Sequence, residues 1–307
     1  MSQTRDSAPA PAPNRGKPCR AVSSSYVPPT TAPLPQLAMS THRVLSFDAG
    51  IRHLALALVQ CPRVVPWPPE CRAYATPDES REAFDLRALQ FFLAHGGWEV
   101  LHWRVLDAST ALTERAAPVR KVKALGPVAM TRAIVGTLQA LPADTATDLH
   151  TVAVEAQHNG NPVMRGVAMA IFGYYLVAAP AAALESVSGR YKLHVCDALG
   201  IPAGAGNGVT KSGKARKRPA RDGSAVAAAT APARAKRLQY EDNKHRAILA
   251  LAQLFPGGHA ALAAAGAEKK DDMADALLQA LWTLWTLVAP KPPRRAAKRK
   301  RKDGAAA

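Results

Sequence analysis

The residues of this chain best placed to do chemistry are carboxylates at the ends of apolar runs. The densest group lies in Lys269-Lys270-Asp271-Asp272-Met273-Ala274-Asp275-Ala276-Leu277-Leu278, a run that continues through Leu281, Trp282, Leu284, Trp285 and Leu287. Residues three or four apart on a helix share a face, so Asp275 points the same way as Asp272 or as Asp271. A helix that is apolar on most sides is buried. Carboxylates held at the edge of a core repel one another and resist ionising unless a cation joins them. Acids in a first turn also complement the helix dipole, so this group by itself fits a simple cap as well as a metal site. Two further acids tip the balance. Asp48 ends the run Arg43-Val44-Leu45-Ser46-Phe47-Asp48-Ala49-Gly50, and Glu155 ends His150-Thr151-Val152-Ala153-Val154-Glu155-Ala156-Gln157. Asp and Glu are seldom buried unpaired, so packing explains neither position well. An all-oxygen set without Cys or His suits Mg²⁺, a hard ion that takes few protein carboxylates. Two such ions can acidify a water and stabilise a leaving oxygen, the two needs of phosphodiester hydrolysis.

The elements that must position these acids can be read from hydrophobic periodicity. Strands are expected near 43–48, 53–60 and 98–107, the first two as a hairpin that turns at Gly50. An acidic-then-apolar helical pattern fills 78–94. A long helix is expected at about 118–141, a strand at 150–155 and a helix at 162–178. Asn161-Pro162 opens that helix as a cap residue followed by Pro at the first helical position. A strand at 191–196 and helices at 240–255 and 271–288 complete the set. Strands first, then alternating helices and strands, predict an α/β fold: a mixed sheet with helices on both faces.

Charge divides the chain differently. The formal net charge is +17, but residues 1–40 carry 4 Lys/Arg against 1 Asp, 211–237 carry 9 against 1, and 291–307 carry 8 against 1. The remainder is close to neutral. We therefore expect a disordered Pro/Ala-rich arm at 1–40, a folded domain at 41–290 and a basic tail at 291–307. The domain is expected to be interrupted by a flexible basic insertion at about 202–237, with Lys214, Arg216, Lys217 and Arg218 contacting DNA. Such arms raise salt-sensitive, sequence-independent affinity for phosphates. The four cysteines, Cys19, Cys61, Cys71 and Cys196, have neither zinc-site spacing nor the look of a disulfide framework, so a reducing compartment is expected. With no charged-then-apolar leader and no run fit to span a bilayer, an intracellular protein is expected, at the nucleus or a viral replication site, not secreted and without a membrane partner.

Strand–Asp first, strand–Glu mid-chain and helix–Asp-x-x-Asp last resembles the RuvC-like Holliday-junction resolvases of the ribonuclease H-like superfamily, and within them the poxviral and fungal mitochondrial type. The motifs that carry the resemblance are Ser46-Phe47-Asp48-Ala49-Gly50, Val154-Glu155-Ala156-Gln157 and Lys269 to Asp275, with a weaker echo in Tyr240-Glu241-Asp242-Asn243-Lys244. The resemblance implies a ribonuclease H-like five-stranded mixed sheet and a metal-dependent endonuclease. That enzyme would cut four-way DNA junctions by paired symmetric nicks, leaving 5′-phosphate and 3′-hydroxyl ends. It implies Asp48, Glu155, Asp272 and Asp275 as catalytic metal ligands for two Mg²⁺ ions, with Mn²⁺ as a substitute, and a homodimer whose two sites match the symmetry of the junction. In it, helix 162–178 is either dimer face or core. Lys269, Lys270, Lys244 and Gln157 are its expected DNA contacts, although Lys269 and Lys270 equally suit solvated surface lysines and Gln157 the end of a turn. A ribonuclease H or flap nuclease of the same fold, or an inactive DNA-binding relative, is the alternative.

Overall fold

The computed structural model describes residues 40–50, 53–108, 126–157, 161–204, 224–264 and 270–292, with backbone only over 224–234 and at 264. Residues 1–39 and 293–307 of the two arms, Lys269, Asn159, His158 and the Lys214–Arg218 basic group lie outside the described residues.

Five strands form one sheet: β1 (Thr41–Ala49), β2 (His53–Pro62), β3 (Glu99–Asp107), β4 (Thr151–Glu155) and β5 (Ala183–Val187), in the order β3-β2-β1-β4-β5. The first three pair antiparallel, whereas β4 pairs parallel to β1 and β5 parallel to β4. Every residue from Leu54 to Val59 of β2 is fully buried, as a strand covered on both faces requires. Gly50 closes the β1–β2 hairpin by donating its N–H to the His53 carbonyl at 2.9 Å. A Cβ at Gly50 would stand 2.3 Å from that oxygen, so only glycine fits the turn beside Asp48.

Side chains alternate across the sheet. Leu45, Phe47, Val152 and Val154 face one layer, made of α2 (Pro127–Gln139) and α3 (Pro162–Ala178). Val44, Ala153 and Val187 face the other, made of α1 (Arg81–His95), α4 (Tyr191–Ala198), α5 (Ser224–Leu254), α6 (Ala260–Ala264) and α7 (Lys270–Val288). Helices thus cover both faces. A mixed sheet of this strand order and direction is a ribonuclease H-like fold, as expected.

Helix α7 is the buried spine of the second layer. Leu277, Leu278, Leu281 and Leu284 are all inaccessible to solvent, each worth roughly 2 kcal/mol of burial. Two indoles fix its position. Trp103 of β3 donates to the Met273 carbonyl at 2.9 Å in the first turn, and Trp67 donates to the Val288 carbonyl at 3.0 Å in the last. The second bond satisfies one of the carbonyls that a helix end leaves without an internal partner.

Three expectations need correction. The segment 191–196 is not a strand but most of α4, and the fifth strand is Ala183–Val187. Tyr-Lys-Leu-His-Val-Cys alternates like a strand, but over six residues that pattern does not exclude a helix. The true strand hides its signal, because it is an edge of which Val187 alone is fully covered. The range expected for the basic insertion, 202–237, overlaps α5, which already begins at Ser224. Its alanines favour a helix strongly enough to carry it through Pro232. The long second helix is described only from Pro127, with Gly126 preceding it as its cap residue. By contrast α3 has the expected bounds, and the Asn161 side chain accepts from the Met164 N–H at 3.3 Å.

Candidate active site

The sheet register places the first two acids side by side. Phe47 pairs with Val154 in the parallel ladder, so the next residues, Asp48 and Glu155, are neighbours at the strand ends. Asp48 alternates with Val44 and Ser46, and Glu155 with Ala153, which directs both towards the α7 layer. Helix α7 crosses that face and delivers Asp275. The fourth group was not foreseen. Lys192, on the first turn of α4, places its ammonium 2.5 Å from Asp275 and 3.5 Å from Glu155.

Three of these side chains keep some solvent access rather than being sealed in the core. Accessibility is 15% for Lys192, 16% for Asp275 and 23% for Glu155. Burial raises Asp48 well above the ordinary carboxylate range, helped by the charge of Glu155, a hydrogen bond with it, and the charge of Asp275. Burial also lifts Asp275 to about 6 against the pull of Lys192, and Glu155 adds to the rise. Lys192 is itself raised: burial opposes its charge, but Asp275, Glu155 and Asp48 outweigh burial. The two partners of the ion pair therefore shift in the same upward direction. Burial is the largest cause for Asp48 and Asp275, and neither Lys192 nor, at Asp275, the more distant Lys244 overcomes it, while Lys192 faces three acids that outweigh its own burial. The cluster is short of positive charge.

Gly189, just before α4, is part of this geometry. A Cβ there would stand 2.4 Å from Glu155 Oε1. The missing side chain lets the backbone that carries Lys192 approach the Glu155 carboxylate. No local pattern in the sequence marks either residue, because Lys192 lies inside the segment that reads as a strand.

The remaining expected residues divide. Asp272 lies half-buried one turn before Asp275, on the same face by helical spacing. Asp271 is held by Lys244 of α5, which it meets in a close ion pair. Burial works to raise Asp271, but the Lys244 hydrogen bond and charge outweigh it and hold it below the usual range. Lys244 also stands 4.9 Å from the Tyr240 ring centre, so its ammonium already has protein partners. Gln157 turns back to donate to the Glu155 carbonyl at 3.1 Å. Lys270 borders an apolar groove formed with Ile248, Leu251, Phe255 and Leu262.

Among the described residues no three His, Cys, Asp or Glu side chains form a ready ligand set. The Lys192 ammonium contacts both Glu155 and Asp275. The donor chemistry nevertheless suits a hard divalent ion: oxygen ligands only, with acids whose mutual repulsion one lysine relieves in part.

Strand order, strand direction and the faces on which the helices lie define an α/β protein of ribonuclease H-like fold. The structure of RuvC from Thermus thermophilus matches the chain distantly, with a TM-score of 0.36 and 14% sequence identity over 80% of this chain and 95% of that one. No protein-family model matches the chain, and neither does any curated protein.

Proposed function

We propose that this chain is a metal-dependent, structure-specific endonuclease that resolves four-way DNA junctions. The observation that carries the proposal is the meeting of Asp48, Glu155 and Asp275, from two adjacent strand ends and a buried helix, with Lys192 as their cation. Asp48, Glu155 and Asp275, with Asp272 one turn before, would hold Mg²⁺ or Mn²⁺. When bound, the metal supplies an acidified water and neutralises charge on the leaving 3′ oxygen.

The protein's own part is positioning. The β1–β4 ladder fixes the spacing of Asp48 and Glu155, and the indole bond from Trp103 fixes the turn of α7 that carries Asp275. Lys192 holds Asp275 and Glu155 together, and its ammonium would also reach a phosphate oxygen beside them. Cleavage on this plan leaves a 5′-phosphate and a 3′-hydroxyl.

Coordinated cuts in two strands call for two sites related by a two-fold axis. Helix α3 offers a surface for this. Val167, Ala170, Ile171 and Tyr175 are buried in its own domain, while Met169, Leu176 and Val177 are 66%, 63% and 82% exposed. Met169 and Leu176, seven residues apart, share the side of the helix opposite Val167, Ile171 and Tyr175, and that side is the dimer face in this proposal.

The test is cleavage of a synthetic mobile four-way junction in Mg²⁺, beside matched duplex, flap and RNA–DNA hybrid, with Asp48→Asn as control. Paired symmetric nicks in the junction, lost in the variant, are expected. Preferential cutting of the hybrid would move the function to ribonuclease H, and cutting unchanged by Asp48→Asn would remove the proposed site.

A further inference from the structure

Next to the acid cluster lies a group of aromatic rings that positioning the acids does not require. Tyr191 and His194, one turn apart on α4, both stack on Trp282 of α7. Their ring centres are 4.9 Å and 5.0 Å from the indole, with interplanar angles of 6° and 28°. The two rings are 6.1 Å from each other. They therefore lie side by side over one face of the indole, since on opposite faces they would stand about twice the stacking distance apart. Trp282 is anchored from below by Trp285, 4.8 Å away and only 4% exposed. Tyr191 itself is 40% exposed, and His194 and the preceding Arg190 are exposed as well.

The position of this group matters as much as its exposure. Trp282 follows Asp275 by two helical turns, so it sits on the same face of α7 about 10 Å further along. Tyr191 directly precedes Lys192, whose ammonium touches Asp275 and Glu155. A rigid aromatic surface, flanked by an arginine and about 10 Å from the acid cluster, has the chemistry of a base-stacking site, because every nucleobase offers a π-face. Large exposed rings that merely cover a core need no such neighbours.

We propose that the outward faces of Tyr191 and His194, seated on Trp282, form a stacking platform for an unpaired nucleobase beside the scissile phosphate. The proposal rests on the reading of this site as a DNA nuclease. It adds that the strand being cut is engaged with a base out of its stack, as a branch point permits and an intact duplex resists.

The test is equilibrium binding of the full chain, with EDTA to suppress cleavage, to a four-way junction, a single-stranded oligothymidine and a fully paired duplex. Tyr191→Leu keeps an apolar cover on the indole but removes the π-face, and Tyr191→Phe keeps both. Tyr191→Leu is expected to weaken junction and single-strand binding about tenfold while duplex binding and melting temperature hold, and Tyr191→Phe is expected to bind as wild type. His194→Ala should weaken the same two ligands. Wild-type affinity in Tyr191→Leu for junction and single strand, or an equal loss on duplex, would overturn the platform. Because the readout is binding, the two ideas fail separately. A junction cut normally by Tyr191→Leu with unchanged affinity sinks the platform alone, whereas selective binding without any cutting by the wild type supports the platform and sinks the nuclease.

Discussion

Asp48 and Asp275 hold protons more tightly in the folded chain than in the unfolded one, and the sign of the consequence is definite. A carboxyl raised by folding contributes most to stability below its unfolded value, and that contribution is lost as pH rises through the folded value. For Asp275 the window runs from 3.8 to about 6, and the difference corresponds to roughly 3 kcal/mol. Metal-free protein should therefore melt higher near pH 5 than near pH 7. Asp48→Asn keeps a side chain able to hydrogen-bond Glu155 but removes a carboxyl whose ionisation folding opposes. It should raise the melting temperature at pH 7 in EDTA and flatten the profile between pH 4 and 6, while abolishing cleavage. A variant that melts lower than wild type at pH 7 would show that the acids do not strain the fold. Gly189 makes a complementary case. A methyl group there collides with Glu155 Oε1, so Gly189→Ala should cut activity on the order of a hundredfold, as a misplacement of about 1 Å does. The melting temperature should change little, since the glycine is half-buried at the site's rim rather than in the core. Cleavage rate and a thermal melt together check both halves of that expectation.

At the scale of elements, α3 and α7 show how far periodicity carries. Both were legible because each combines a long apolar run with a start signal: Asn161-Pro162 for one and the acids of the first turn for the other. Helix α4 was not legible. Eight residues give too few turns for a 3.6-residue period to emerge over a two-residue one, and β5 is too polar to compete for assignment as a strand. The outward stripe of α3 can be tested directly. Met169→Glu places a charge at the centre of the exposed apolar surface without touching the buried side, so it should convert the proposed dimer to monomer with little loss of monomer stability. Light scattering over a concentration series would show it, and a wild-type chain that is already monomeric at tens of micromolar would rule the surface out.

At the scale of the whole molecule, charge and fold are separate properties of the chain. The excess positive charge lies outside the described residues, and residues 291–307 alone carry 8 Lys/Arg against 1 Asp. Removing 293–307 should weaken junction and duplex alike and flatten the salt dependence of binding, because each lost phosphate contact lowers the slope by about one. Selectivity for the junction should survive, since the proposed acid site and stacking platform lie among residues 48–282; a truncation that lost selectivity but kept its salt slope would reverse that assignment. The sequence by itself determined the α/β class, the hairpin that opens the sheet and three of the four groups at the site. It could do so because an acid ending an apolar run is a local conflict with burial, visible without knowledge of what lies across from it. Only the tertiary structure decided that Lys192 is the fourth, that Gly189 makes room for Glu155, and that Asp271 is committed to Lys244 while Asp275 joins the cluster. Each of these depends on where two separately formed elements meet. Residues 83 apart in Lys192 and Asp275, or 27 apart in Lys244 and Asp271, carry no mark of each other until the sheet and its helices have packed.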